Sequence, residues 1–401
     1  MPPGRIVLVE TMSSAPPHGT ARDPYRLFFP LGIVLGVAGV AIWPAYHLGL
    51  TDSYSGRSHA SVQAEGFLYA FIAGFLLTAI PRFTGTAAPA RAAQLALAAL
   101  LVLASTAFEL RSFAVGHLAF AAAHLMLIVL LVRRFLRRKQ QPPDTFAMVG
   151  AGIACGAVAA LVNAAVALEA VDPRWDLLGR RLLTEGMVLL LVLGVGGFLG
   201  PRLLGFAQMP LVQIGGQGPR RRTALYLAAS VALVLTLFGE YGAGIPMLAY
   251  LRAAIASSVL FATITPWRPP AVRTTLAWCA WTASWLVIAG SWLAAIAPAH
   301  RVDFLHVLFM GGFTLLILAV GTRVTLSHGG HGLDAERRSW PLRIGIATGL
   351  VALVARVGAG FAQDSFFAHL AWASAFWIAG VTFWGTYVVR LIFVSGSRPA
   401  S

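Results

Sequence analysis

Twelve stretches of predominantly apolar residues follow one another along the chain, separated by short segments that carry charges, prolines or glycines. A helix needs about 20 apolar residues to cross the hydrocarbon core of a bilayer, and only helices and closed barrels satisfy every backbone polar group there. Twelve crossings use about 240 of the 401 residues, which leaves short loops and no large soluble domain. The sequence therefore predicts an all-α fold, a polytopic membrane helix bundle, and excludes a soluble enzyme.

The breaks between the apolar stretches place the membrane-spanning segments to within a few residues. We predict spans at 28–49, 59–80, 92–109, 112–132, 146–170, 180–200, 222–240, 243–264, 273–297, 302–322, 341–361 and 366–393. The bundle, residues 28–393, then lies between an N-terminal tail at 1–27 and a C-terminal tail at 394–401.

The chain is strongly basic, with 30 Arg and Lys residues against 15 Asp and Glu residues and a net charge of +15. The loops of a twelve-span protein alternate between the two sides of the membrane. Most of the basic residues fall on the side of the N-terminus, above all in the segment 133–139. Because loops rich in Arg and Lys stay in the cytoplasm, we expect both termini to be cytoplasmic. Membrane insertion thus explains the basic charge, and no nucleic-acid partner is expected.

A set of residues in the second span recurs 120 positions later in the sixth. Glu65-Gly66, Gly74, Pro81-Arg82 and Gly85 reappear as Glu185-Gly186, Gly194, Pro201-Arg202 and Gly205. A weaker third copy lies in the tenth span. These identities predict an internal repeat, with three four-helix units at about 28–132, 146–264 and 273–393 in a pseudo-threefold arrangement. Spans 2, 6 and 10 would then lie near the centre.

Five histidines share one depth, in the half of the membrane away from the N-terminus. They are His59 in the second span, His117 and His124 in the fourth, His306 in the tenth and His369 in the twelfth. Ionisable side chains inside a bilayer are costly and usually face a partner in the bundle interior. Neutral imidazole is a common metal ligand, and histidines hold haem iron in helix bundles. The shared layer favours a haem or metal site, whereas a local hydrogen bond explains any one histidine as well.

Charged residues occur close to the histidine layer. Glu65 and Glu185 lie about two turns into the second and sixth spans. Each is a candidate for one of three roles: a proton-handling group, a metal contact or a partner of an arginine. The arginines near this level are Arg180, Arg181, Arg252 and Arg301. Arginine binds carboxylates through a planar fork, which suits the propionates of a haem, and snorkelling to the membrane surface is the alternative. A repeat with buried glutamates is also typical of a proton-coupled transporter, which is our second hypothesis.

Two long motifs of this chain resemble motifs of the NnrS family. The first runs from His59-Ala60 through Gly66-Phe67 and Ala73-Gly74-Phe75-Leu76-Leu77-Thr78-Ala79-Ile80-Pro81 to Thr84-Gly85. The second runs from His306 through Gly321-Thr322-Arg323-Val324-Thr325-Leu326-Ser327-His328-Gly329-Gly330. The approach to the first span, Pro24-Tyr25-Arg26-Leu27-Phe28-Phe29, is similar too. The resemblance therefore extends over nearly the whole chain.

This resemblance implies a twelve-span protein of the bacterial inner membrane that carries haem and copper, is linked to nitric oxide metabolism and relieves nitrosative stress. We expect haem b here, with nitric oxide and a redox partner as partners besides the lipid bilayer. Copper is left open, because family members read His-Ala-His-Glu where this chain has His59-Ala60-Ser61-Val62. The second histidine and its carboxylate are thus absent.

A looser similarity concerns the haem–copper oxidases, in which histidines of spans 2 and 10 hold a low-spin haem near the outer face. His59 and His306 occupy comparable positions and are our first candidates for haem ligands, ahead of His117, His124 and His369. Spans 6 and 7 contain no histidine, so the copper centre of those enzymes is not expected. The bound haem would have one of three roles: to capture nitric oxide, to shuttle an electron or to shield iron from nitrosylation. The sequence does not distinguish these roles, and it leaves open whether the protein is an enzyme. An assembly partner of a respiratory complex is the third hypothesis.

Overall fold

The structure, a computed structural model, describes residues 23–206, 218–331, 336–337 and 339–394. Every regular element in this part of the chain is helical, and the helices are long and apolar, as membrane crossing requires. The predicted all-α polytopic bundle is therefore confirmed. Most of the two predicted tails, residues 1–22 and 395–401, lies outside the described residues.

Twelve apolar helices make up the described bundle. They are α1 (Tyr25–His47), α2 (Gly56–Thr84), α3 (Arg91–Glu109), α4 (Phe113–Leu136), α5 (Phe146–Ala167), α6 (Trp175–Leu203), α7 (Pro219–Gly242), α8 (Leu248–Ile264), α9 (Thr275–Ile296), α10 (Pro298–Gly329), α11 (Trp340–Ala359) and α12 (Gln363–Phe393). Eleven of them are long enough to cross a membrane, and α8 is a shorter apolar helix.

Some helix bounds differ from those the sequence predicts. Helices α2, α6 and α10 have 29, 29 and 32 residues, and their extra turns carry charged side chains, which hydropathy alone assigns to loops. Helix α8 begins at Leu248 rather than at 243, because Gly244 adopts a positive φ of 72° and Pro246 follows it. The chain turns there before the helix can start.

Helices α2, α6 and α10 are the most buried of the eleven long helices. The buried share of their most apolar windows is 83%, 67% and 61%. The remaining helices surround them: α1 packs on α2 and α12, α5 on α6, and α9 on α10. Glycines in the left-handed conformation, Gly85 and Gly330, follow α2 and α10 and cap their last turns.

Each of these three central helices contains a π-helical segment near its beginning. The segments are Val62–Leu68 in α2, Leu182–Val188 in α6 and Val307–Thr314 in α10. A shorter one, Phe238–Gly242, ends α7. Such segments shift the register of a helix and occur frequently at functional sites. The segments in α2 and α6 are separated by the same 120 residues as Glu65 and Glu185, while the internal repeat itself stays a prediction.

Candidate functional site

A cavity of about 350 Å³ opens between the first turns of the central helices, at the end of the bundle where the even-numbered spans begin. This volume lies at the lower end of the range of pockets that hold small molecules and cofactors. Its side chains come from α1, α2, α6, α10, α11 and α12, and most of its wall is apolar. The polar and charged lining residues are His59, Ser61, Gln63, Glu65, Arg180, Arg181, Thr184, His306, Thr314, Arg356 and Ser374.

His59 and His306 line this cavity from α2 and α10. The Nδ1 atom of His59 lies 2.7 Å from the carbonyl oxygen of Gly39 in α1, and that of His306 lies 2.7 Å from the carbonyl oxygen of Val302. Since a carbonyl oxygen only accepts, Nδ1 carries the proton in both rings. This tautomer leaves the lone pair on Nε2, and metal-binding histidines have the same second hydrogen bond, which fixes ring orientation. Both imidazoles are thus held in place by a hydrogen bond, with Nε2 as the unprotonated nitrogen.

Three arginines line the same cavity. Arg180 contacts Asp176 at 2.6 Å, Arg356 contacts Asp303 at 2.8 Å, and Arg181 has a longer ion pair with Glu185 at 3.4 Å. The Nε atoms of Arg180 and Arg181 are buried with no hydrogen-bond partner. Buried donors of this kind favour a bound acceptor, since an unpaired one costs free energy. The wall therefore combines two imidazoles with two buried Nε–H donors that have no partner in the described structure.

The other two predicted arginines belong to a buried charge network beside the cavity. Arg252 contacts Glu185 at 3.0 Å and Glu240 at 2.7 Å, and Arg301 contacts the second carboxylate oxygen of Glu240. The side chains of Arg252, Glu185 and Glu240 are each 6% exposed or less. Neither Arg252 nor Arg301 is among the described residues that line the cavity. The network joins α6, α7, α8 and α10.

Glu65 lines the cavity and pairs with His117, whose Nδ1 lies 3.1 Å from Oε2 of the carboxylate. The two side chains are 2% and 3% exposed. His117 itself packs against Phe108, with ring centroids 4.9 Å apart. The structure thus brings the predicted Glu65 and His117 together, and it presents the glutamate, rather than the histidine, to the cavity.

His124 and His369 lie away from the described lining. In His124, Nδ1 lies 2.9 Å from the hydroxyl of Tyr69 and Nε2 lies 2.9 Å from the carbonyl oxygen of Ile153. Both ring nitrogens are therefore used by the protein itself. His369 lies near its own helix start, with Nδ1 3.0 Å from the carbonyl oxygen of Ser365.

The residues present fit a haem. Two imidazoles with fixed Nδ1 protons and cationic side chains with free donors meet in one mostly apolar cavity. Haem iron takes its axial ligands from such imidazoles. Within the part of the chain that the structure describes, no three His, Cys, Asp or Glu side chains are grouped for a metal ion. The donor set accordingly suits a haem better than a separate copper ion.

Two charged residues of the cavity and the network were not among the residues selected from the sequence. Arg356 lines the cavity from α11, and Glu240 connects Arg252 with Arg301. Arg356 could have been selected from the sequence, because a charged residue inside an apolar span usually has a role. Glu240, in contrast, lies at the end of an apolar run, where a glutamate is normally assigned to a loop.

Fold and cavity together define a polytopic helical membrane protein with a histidine-lined cavity near one membrane face. The chain belongs to the NnrS family, since the family model described as NnrS protein matches residues 20–394, nearly its whole length. A search among proteins of curated function gives no match. Family membership supports a membrane protein related to the response to nitric oxide.

Proposed function

We propose that this protein binds haem b in the cavity between α2, α6 and α10, with His59 and His306 as axial ligands, and acts in the bacterial response to nitric oxide. The observation that carries the proposal is the geometry of the two imidazoles. Both donate Nδ1–H to a backbone carbonyl, and both line one cavity. Family membership supports the link to nitric oxide.

The side chains of the cavity have distinct roles in this proposal. His59 and His306 would hold the haem through Nε2, while the carbonyls of Gly39 and Val302 keep the rings in place. Arg180 and Arg181 would hold its propionates through their unused Nε–H groups. Glu65 has the only carboxylate among the described residues that line the cavity, and it would exchange a proton with His117. When bound, haem would supply a one-electron redox centre, and it would take up a diatomic ligand only if one of the two histidines left the iron.

The transporter hypothesis has less support from these contacts. A proton carrier needs a carboxylate that is neutral in one of its states. Glu185 is ion-paired with Arg181 on one side and Arg252 on the other, so its protonation would remove the carboxylate that pairs with Arg181 and leave Arg252 with Glu240 alone. Such a change carries a large free-energy cost in a dry interior. Glu65 is thus the only one of the two predicted glutamates whose contacts suit proton exchange.

The test is the reduced-minus-oxidised absorbance spectrum of the detergent-purified protein, with iron and copper measured on the same sample. We expect bands of a low-spin haem b and about one iron per chain. His59→Ala and His306→Ala should each remove most of this absorbance. His369→Ala is the matched control, because His369 lies at the same depth but outside the described cavity lining, and it should keep the spectrum.

Two results would contradict the proposal. A colourless wild-type protein without iron excludes the haem and returns attention to the transporter hypothesis, for which Glu65→Gln should then abolish transport. Full retention of the spectrum in both alanine variants would mean that haem is bound but that His59 and His306 are not its ligands. The next candidates would then be His117, His124 and His369.

A further inference from the structure

A second cavity lies between the same central helices, further along the bundle toward the end where the N-terminal helix begins. Its volume is about 120 Å³, and none of its described lining residues is exposed. Phe71 and Leu76 of α2, Val188 and Leu199 of α6, and Phe313 and Val320 of α10 are among them. We call it the axial cavity, because all three central helices contribute to its wall.

The wall of the axial cavity is almost free of polar groups. Among the described residues that line it, Ser284 has the only polar side chain, and its hydroxyl is already donated to the carbonyl oxygen of Ala280 at 2.9 Å. A water molecule needs two to four polar partners to stay in a protein interior. An apolar cavity of about 150 Å³ lined by Leu, Ile and Phe remains dry and binds xenon or benzene. The chemistry of the wall thus excludes ions and favours a small uncharged apolar molecule.

The axial cavity is adjacent to the histidine-lined cavity. Leu68, the last residue of the π-helical segment of α2, lines both. In α6 the residues that line the histidine cavity precede those that line the axial cavity, as Thr184 precedes Val188, and in α10 the two sets meet at the neighbouring residues Phe313 and Thr314. The two cavities therefore follow one another along the bundle and share a wall at Leu68.

We propose that the axial cavity binds a small uncharged apolar molecule the size of a diatomic gas and passes it to the histidine-lined cavity past Leu68. Gases of this kind partition into the hydrocarbon core of a membrane, and the apolar wall of the axial cavity offers them a similar environment. The statement that the gas is nitric oxide and that its destination is haem rests on the proposed function. The binding site itself does not depend on haem.

Xenon is the probe, because it is uncharged, apolar and detectable in protein by 129Xe NMR saturation transfer. The full chain in lipid nanodiscs should give a bound-xenon signal whether or not haem is present. Gly196→Leu should abolish it, because Gly196 lines the axial cavity and a Cβ there meets only Ile264, at 3.5 Å. Val320→Phe fills the cavity from α10 and should act in the same way. Gly150→Leu is the control, since a Cβ at Gly150 meets nothing within 4 Å.

Each outcome decides the matter. Loss of the signal in Gly196→Leu or Val320→Phe, with retention in Gly150→Leu, supports the axial site. No bound xenon in the wild type, or an equal signal in all variants, overturns it, and so does a lipid acyl chain found in the cavity by native mass spectrometry or in a density map. A bound-xenon signal in a protein that lacks haem leaves this site in place while the haem proposal fails. A haem spectrum without xenon binding supports the haem proposal and overturns the axial site.

Discussion

His59 and His306 face one cavity from two different helices, and each ring donates its Nδ1 proton to a backbone carbonyl at 2.7 Å. The two residues are 247 positions apart in the sequence. The bond of His306 lies within its own helix, four residues back, whereas the bond of His59 joins two helices. Each ring keeps the lone pair of its Nε2 in the lining of one mostly apolar space, and the proposed haem ligation rests on this feature.

If haem is bound as we propose, replacing one of these imidazoles by a weaker ligand should change its spectrum and reduction potential without removing it. In His306→Met the thioether is a softer and less basic axial ligand, and His/Met ligation raises the reduction potential of haem. We expect a midpoint potential higher by on the order of 100 mV and a changed low-spin absorbance, both measured by redox titration. His369→Met is the control and should titrate like the wild type. An unchanged potential and spectrum in His306→Met would contradict ligation by His306.

His59 and His306 were predicted from the sequence, whereas Arg356 was not. Apolar length placed the twelve helices, and the motifs at His59 and His306 picked out the two residues that share a cavity. Residues that act through a partner on another helix could not be found, because their role depends on packing. Arg356 of α11, for example, reaches Asp303 of α10. The π-helical segments were also missed, because a local change in hydrogen-bond register leaves no mark in hydropathy.

The predicted depth of the other histidines does not tell which contacts they make, for a similar reason. Depth is a single coordinate, and it does not say which face of a helix a side chain occupies. His117 and His124 share the depth of His59, but their partners are Glu65, Tyr69 and the carbonyl of Ile153. Only the packing of α4 on α2 and α5 separates them from the cavity.

Arg252 should be essential for stability rather than for haem binding. It is the centre of a buried network with Glu185 and Glu240, and removing it leaves Glu185 with Arg181 and Glu240 with Arg301, so the buried network has two carboxylates and one cation fewer. Loss of one partner of a buried ion pair costs about 3–5 kcal/mol. We therefore expect Arg252→Met to lower the thermal unfolding midpoint of the purified protein by several degrees, while the haem content of the folded fraction stays normal.

The control for this experiment is Arg222→Met. Arg222 pairs with Asp144 at 2.8 Å, but its side chain is 30% exposed, and an ion pair near the surface contributes about 0–1 kcal/mol. Its unfolding midpoint should stay close to that of the wild type. Equal midpoints for the two variants would mean that the buried network does not stabilise the bundle.

Tyr69 and His124 should act as a structural pair. Tyr69 is 0% and His124 is 1% exposed, and the hydroxyl donates to Nδ1 because Nε2 is committed to the carbonyl of Ile153. Tyr69→Phe leaves Nδ1 buried without a donor, which costs about 1–3 kcal/mol. The unfolding midpoint should fall while the haem spectrum is unchanged. Tyr54→Phe, at an exposed residue of the α1–α2 loop, should alter neither, and loss of haem in Tyr69→Phe would assign His124 to the site instead.

The side of the membrane on which the histidine cavity opens can be tested with single cysteines. The two native cysteines, Cys155 and Cys279, are 4% and 2% exposed, so they should react little with a membrane-impermeant maleimide. Asp52 is exposed in the loop near the cavity, and Lys139 is exposed in the basic loop between α4 and α5. If the basic loops are cytoplasmic, Asp52→Cys should be labelled in intact spheroplasts and Lys139→Cys only after the membrane is permeabilised. The opposite pattern would place both termini outside and the cavity on the cytoplasmic face, where an electron donor of the cytoplasm rather than of the periplasm would reach it.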